Sequence, residues 1–228
     1  MTKPEFINPY ELKKVQKFMN KSINPNYPIH KIKVPFRALL IGSSGSGKTA
    51  TLLNLINLMP NTFNHIYIYT KAEEALYDYL QSQLPSDLLT ISYDLADCEN
   101  HLKNEIYYGQ SLVVFDDMCN GKNQKCIEEM YIRGRKIAGG ISMLYLTQSY
   151  YKVPKTIRLQ CQYVFIIKVS GIRDLKLILS EYNLGSTKEE LLTKYNYCCN
   201  SGEFGNFLLI DLEAPQNKTF RKNWDEYI

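Results

Sequence analysis

No stretch of this chain limits its fold as tightly as the octapeptide Gly42-Ser43-Ser44-Gly45-Ser46-Gly47-Lys48-Thr49. It is a full G-x-x-x-x-G-K-[ST], and both neighbours are of the required kind: the apolar run FRALLIG before it and the helical run TATLLNLINLM after it. Three glycines let the backbone wrap closely around a polyphosphate. The loop's N–H groups and the helix N-terminus then face the anion. Lys48 is placed to neutralise β- and γ-phosphate oxygens, and Thr49 to offer its hydroxyl to Mg²⁺. The octapeptide predicts a strand–loop–helix unit that binds a nucleoside triphosphate.

The rest of the pattern surrounds that unit with a sheet. Apolar runs at 36–42, 65–69, 89–93, 111–115, 141–147 and 162–168 alternate with helical patterns near 47–58, 72–84, 95–106, 123–137 and 171–182. Near-continuous apolar strands separated by helices predict an α/β fold, a mostly parallel sheet covered on both faces. A late run, 206–212, either extends the sheet or pairs as a hairpin. The 228 residues, 45% hydrophobic and 22% charged, suffice for one core and exclude disorder as the main state.

No apolar run reaches the ~18 residues of a spanning helix, and MTKPEFINPY lacks the apolar stretch of a signal peptide. A protein kept in a cytosol-like compartment is expected. Cys98, Cys119, Cys126, Cys161, Cys198 and Cys199 form no CxxC pair and have no His at ligand spacing, which predicts free thiols and no structural zinc.

The net charge of +4 is unevenly placed. Residues 1–36 hold seven lysines and two acids, +5, so the remainder carries −1. Asn8-Pro9 followed by Glu11 is a helix-start signal, and Leu12, Val15, Phe18 and Met19 then share a face opposite Lys13, Lys14, Lys17 and Lys21. The sequence Asn24-Pro25-Asn26-Tyr27-Pro28 ends that pattern as a linker. Residues 1–35 are therefore expected as a basic arm, an amphipathic helix plus an extended segment, and 36–228 as the ATPase domain. On charge alone the arm suits nucleic acid, an anionic membrane or an acidic partner, and equally a solvated surface.

Downstream, Ser111-Leu112-Val113-Val114-Phe115-Asp116-Asp117 delivers a carboxylate to the end of an apolar strand, the form of a Walker B element. Asp116 is expected to hold Mg²⁺. Asp117 is placed to polarise the attacking water, although Glu is the commoner residue there and Asp is one methylene shorter. A second acid beside the metal ligand favours an ATPase motor over a nucleotide kinase, and no N-K-x-D signature is present. The strand 141–147 ends in Thr147-Gln148-Ser149, where Gln148 can sense the γ-phosphate.

Arginine is scarce, six residues against 21 lysines, yet Arg133 and Arg135 share one tripeptide. Two readings stand for them: an arginine finger on a neighbour's nucleotide, or a solvated helix end. Arg158 is a second finger candidate.

GSSGSGKT, LVVFDD and YIRGRKIAGGISMLYLTQSYYKVPKTIR together resemble the genome-packaging ATPases of large DNA viruses, the poxvirus-type enzymes among them, with relatives in virophages and Polinton-like elements. That family lies in the FtsK–HerA superfamily of P-loop motors, and the resemblance covers roughly residues 36–182. It implies a RecA-like core of the ASCE class and a homo-oligomeric ring, pentamer or hexamer. It implies pumping of double-stranded DNA into a preformed capsid at its portal or vertex proteins. The location implied is the host cytoplasm, in the viral factory, with retention in the virion as a further option. On matching positions Gly42, Ser43, Ser44, Gly45, Ser46, Gly47, Lys48 and Thr49 bind ATP, Thr49 and Asp116 bind Mg²⁺, Asp117 is the catalytic carboxylate and Gln148 the sensor. Arg133 or Arg135 matches the region of the trans-acting finger.

Lys122, Lys125, Lys152 and Lys155 are candidates for gripping DNA phosphates, against the plain reading of surface lysines. Membrane contact is indicated only through the arm. A cellular or plasmid-type translocase or helicase shares all these motifs. A nucleotide kinase or switch NTPase shares only the phosphate loop.

Overall fold

The structure, a computed structural model, describes residues 8–17, 21–104, 106–119, 124–182, 184–200 and 202–228. In chain order come α1 (Lys13–Gln16), α2 (Tyr27–His30), β1 (Arg37–Ile41), α3 (Lys48–Leu58), β2 (His65–Tyr69), α4 (Ala75–Gln83) and β3 (Leu89–Ser92). Then follow α5 (Leu95–Lys103), β4 (Ser111–Asp116), α6 (Gln124–Arg133), β5 (Ser142–Thr147), α7 (Lys155–Gln160) and β6 (Tyr163–Ile166). The chain closes with α8 (Ile172–Glu181), α9 (Lys188–Cys199), β7 (Leu208–Asp211), β8 (Phe220–Lys222) and β9 (Glu226–Tyr227).

The strands form one sheet in the order β3-β2-β4-β5-β1-β6-β7-β8-β9. β1 to β6 pair in parallel, and β7, β8 and β9 continue antiparallel. The late run 206–212 thus does both things open to it: it extends the sheet and begins a hairpin. β5 stands between β1 and β4, the RecA-like order of the ASCE class, so the strand ending in Thr147 separates the phosphate-loop strand from the one ending in Asp116.

Alternate residues of each strand feed opposite cores. Leu39, Ile41, Val113, Phe115 and Tyr145 face α5 to α9, meeting Ile127, Ile178 and Leu191. Ala38, Leu40, Leu112, Val114 and Leu146 face α3 and α4, meeting Leu52, Ile56 and Leu80. Each fully buried Val, Leu, Ile or Phe among them contributes roughly 1.5–3 kcal/mol. All six cysteines are free thiols, five buried and Cys119 half-buried.

Three elements depart from the expected pattern. α6 stops at Arg133, short of 137, because Gly134 is pressed under β5: a Cβ there would lie 2.9 Å from the Met130 carbonyl oxygen and 2.3 Å from Met143 Cε. α7 and α9 were not expected at all. α9 starts with a capping box in which Glu190 N donates to Thr187 Oγ1 and Thr187 N donates to Glu190 Oε2.

At the N-terminus, Asn8 Oδ1 accepts from Tyr10 N, and Asn8 Nδ2 donates to Glu11. The expected amphipathic helix is, within the described residues, a 3₁₀ turn at Pro9–Glu11 followed by the four-residue α1. Phe18 and Met19 lie outside the described residues. The expected linker is docked rather than extended. It contains α2, and Ile32 and Phe36 are each 1% exposed in the core beside α3. Asn24 Nδ2 donates to Ile32 O, Lys33 N to the Tyr163 hydroxyl, and Arg221 Nη1 to His30 O. No helix among the described residues is long and apolar enough to cross a membrane.

Candidate functional site: the cleft at the phosphate loop

In a parallel sheet the loops leaving the strands' C-terminal ends meet at one edge, and ligands bind there. β1, β4 and β5 bring the octapeptide, Asp116-Asp117 and Gln148 to that edge. The phosphate loop is fastened to both flanking strands: Gly42 N donates to Thr147 O, and Ser43 N donates to Lys168 O. Gly47 adopts φ +102 as the loop enters α3, a conformation that side-chain-bearing residues rarely take.

Ser44, Gly45, Lys48, Thr49, Glu74, Asp116, Asp117 and Gln148 line one cleft of about 370 Å³. Lys48 Nζ donates to the carbonyls of Gly42 (3.0 Å) and Ser43 (3.1 Å). Burial pushes its ammonium below the ordinary lysine value, opposed by Asp116, Asp117 and Glu74. Burial also raises the Asp116 carboxyl above the usual range, with the Tyr77 hydrogen bond pulling the other way. An acid that burial disfavours as an anion, next to a cation whose ammonium donates to backbone carbonyls, suits a site completed by a charged ligand.

Each expected metal ligand is held from behind. The Tyr77 hydroxyl donates to Asp116 Oδ2 at 2.7 Å, and the Thr49 hydroxyl donates to Glu74 Oε2 at 2.9 Å. Burial and the Asp116 carboxylate push the Tyr77 phenol far up, so it remains a donor. Glu74 and Tyr77 stand three residues apart at the start of α4, one turn serving both ligands. Thr49 and Asp116 supply the oxygen donors that a hard divalent cation takes, with supporting bonds that fix their orientation.

The hydrolytic pair is also joined. Gln148 Nε2 donates to Asp117 Oδ2 at 2.9 Å. Asp117 takes φ +51, and its N–H donates to Leu146 O, which turns its carboxylate toward β5's tip rather than along β4. The turn carrying Gln148 is anchored to buried Asp174, whose Oδ1 accepts from Ser149 Oγ (3.2 Å) and Tyr151 N (3.0 Å).

The arginines lie elsewhere. Arg133 and Arg135 precede β5 and sit at the sheet's opposite edge, Arg133 bound to Glu129 and Arg135 3.8 Å from Glu213. β1 separates them from the cleft by roughly 15 Å at ~3.3 Å per residue. Arg158 is 12% exposed, ion-paired with Glu181 and stacked on the Tyr150 ring, so it is consumed inside the fold. Arg173, not singled out in the sequence, is exposed at the start of α8 on the cleft's edge, 3.9 Å over Tyr151. Lys125, Lys152 and Lys155 are exposed on that edge too. Lys122 lies outside the described residues.

Glu74, Tyr77 and Asp174 are the site residues that motif reading missed. Glu73-Glu74 before a helix looks like an ordinary acidic N-terminus. Only packing reveals that one of the pair meets Thr49.

Comparison with known proteins places this geometry. The profile of the family described as "Poxvirus A32 protein" matches residues 29–211. The DNA packaging protein OPG160 of Variola virus is 28% identical over 178 residues, covering 72% of this chain and 64% of that protein. OPG160 of Vaccinia virus (strain Copenhagen) is 28% identical over 182 residues with the same coverages, so the chain spans less than two thirds of these relatives' length. Among solved structures, the genome packaging NTPase B204 from Sulfolobus turreted icosahedral virus 2, with sulfate, matches at TM-score 0.64 and 16% identity. That match covers 86% of this chain and 99% of B204. The pCW3 conjugation coupling protein TcpA, with ATPγS, matches at TM-score 0.59 and 13% identity over 85% of this chain and 60% of TcpA.

Proposed function

This chain belongs to the poxvirus A32 protein family, and from that membership we propose that it is an ATP-hydrolysing motor that drives double-stranded DNA into a preformed capsid. One observation carries the hydrolytic part: a second carboxylate, Asp117, beside the expected metal ligand Asp116 and bonded to Gln148 at the same cleft as Lys48. A kinase or switch NTPase has no use for that pair. Relatives called DNA packaging proteins support the packaging part. The TcpA-like fold suits a conjugative translocase equally well, and family membership favours packaging.

In this reading the triphosphate lies along the loop's N–H groups with Lys48 moving from the loop carbonyls to the phosphate oxygens. Thr49 and Asp116 would hold Mg²⁺, which would supply neutralising charge to the phosphates. Asp117 orients the attacking water and accepts its proton, while Gln148 fixes Asp117 and reports loss of the γ-phosphate. Subunits form a ring, pentameric or hexameric, on the capsid's portal or vertex. Arg133 or Arg135 reaches a nucleotide only across a subunit boundary, since neither lies near its own cleft, and Arg173 is a third contender. Lys125, Lys152 and Lys155 contact DNA phosphates without reading bases.

ATP turnover with and without double-stranded DNA tests the reading. Wild-type protein hydrolyses ATP faster with DNA, and Lys48→Ala does not hydrolyse it; turnover by Lys48→Ala equal to wild type sinks the assignment.

A further inference from the structure

The phosphate loop has a second hollow on its other flank, and the two share Gly45. The first holds every acid of the hydrolytic machinery. The second, about 420 Å³, is lined by Ser46, Lys168, Asn200, Glu203, Phe204 and the glycines around them. A volume of this order is what a small-molecule subsite occupies.

A nucleoside triphosphate on this loop has only one polarity. Its γ end must face Asp116, Asp117 and Gln148 in the first cleft. The α-phosphate and nucleoside therefore lie on the loop's other flank, which Gly45 and Ser46 share with the second hollow. Phe204 stands at that exit. The residue is 74% exposed, and a Cβ built on Gly47 would lie 3.1 Å from its Cζ. The ring thus rests against the N-terminus of α3. Gly202 at φ +83 and Gly205 at φ +80 shape the loop that holds it out. No aromatic ring of the described residues stacks on it. An aromatic this exposed contributes little to the core, in contrast to Phe207 three residues further on, which is 3% exposed and packs against Trp224 and Phe165.

Resting on the nucleotide reading above, we propose that Phe204 is the platform on which the base of the bound nucleoside triphosphate stacks. The loop 202–206 then forms the nucleoside subsite, and the Phe204 face turned to Ser46 and Lys168 is the one covered. Every base presents a π-face, so this contact adds affinity for a nucleoside without choosing strongly among bases.

The test compares two ligands on the same protein by calorimetry in Mg²⁺: a non-hydrolysable ATP analogue and inorganic tripolyphosphate, which has no base. Phe204→Ala weakens the analogue by roughly tenfold or more, the loss expected for one stacked base. It leaves tripolyphosphate unchanged, and Phe204→Trp restores the analogue. An unchanged analogue affinity in Phe204→Ala overturns the proposal. An equal loss for both ligands also overturns it, because the ring would then only support the phosphate loop. Wild-type protein that binds neither ligand rejects the nucleotide reading itself, a result distinct from either of these, and the subsite falls with it.

Discussion

Lys48, Thr49, Asp116, Asp117 and Gln148 were each legible as residue types at a spacing, and the fold brings them to one cleft. What spacing did not carry was their support. Thr49 and Asp116 are each tied to α4, through Glu74 and Tyr77, and such supporting bonds are commonly worth 10–100-fold in metal affinity. Tyr77→Phe and Glu74→Gln are therefore expected to raise the free Mg²⁺ needed for half-maximal ATP turnover by roughly 10–100-fold. The measurement is a Mg²⁺ titration of hydrolysis at saturating ATP; an unshifted midpoint in both variants rejects the supporting role. Asp117→Asn acts differently, lowering turnover by about 10²–10⁴-fold with nucleotide affinity retained. Loss of affinity and turnover together would reassign Asp117 to binding.

Helices and strands of the parallel half were readable because burial on two faces leaves long apolar runs, as in β1, β4 and β5. Boundaries were not, wherever they depend on a distant neighbour. α6 ends under β5 because Gly134 admits the Met143 side chain, and nothing local announces that contact. α9 is the opposite case: Thr187-Lys188-Glu189-Glu190 is a capping box readable in the sequence, followed by buried Leu191, Tyr195 and Cys198 at helical spacing. The box is exposed and local, so Thr187→Ala is expected to cost about 1 kcal/mol of stability, read as a lower urea midpoint at constant m. A midpoint equal to wild type would show that α9 is held by its packing alone.

The whole molecule is closed by a contact between its two ends. Arg221 is fully buried, its Nη2 donating to Asp211 at 2.9 Å and its Nη1 to the His30 and Trp224 carbonyls. His30 lies beside it, also fully buried. Burial first, then Arg221 and Lys31, hold its imidazole down to about 4. Below the ordinary value of 6.5 the unfolded chain takes up a proton that the folded chain refuses. Stability is therefore full above pH 6.5 and lost as pH falls towards 4, by up to about 3 kcal/mol if the shift is fully expressed. His30→Asn, which keeps an acceptor for Ile32 N but does not titrate, is expected to flatten that loss in urea unfolding between pH 7 and 4.5. Parallel pH profiles would remove His30 as the cause. Arg221→Ala, which leaves Asp211 buried without its partner, is expected to cost about 3–5 kcal/mol at any pH in that range.

From residue types and spacing alone came the phosphate loop, the carboxylate pair, the parallel α/β class and the free cysteines, because each rests on local chemistry: a glycine's freedom, an apolar run, a charge at a strand's end. The tertiary structure was needed for everything that depends on two distant segments meeting. It took Arg133 and Arg135 to the far edge of the sheet and spent Arg158 on Glu181. It set Glu74 and Tyr77 behind the metal ligands, and it laid residues 21–35 on the body. Those outcomes follow from strand order and burial, and a linear pattern contains neither.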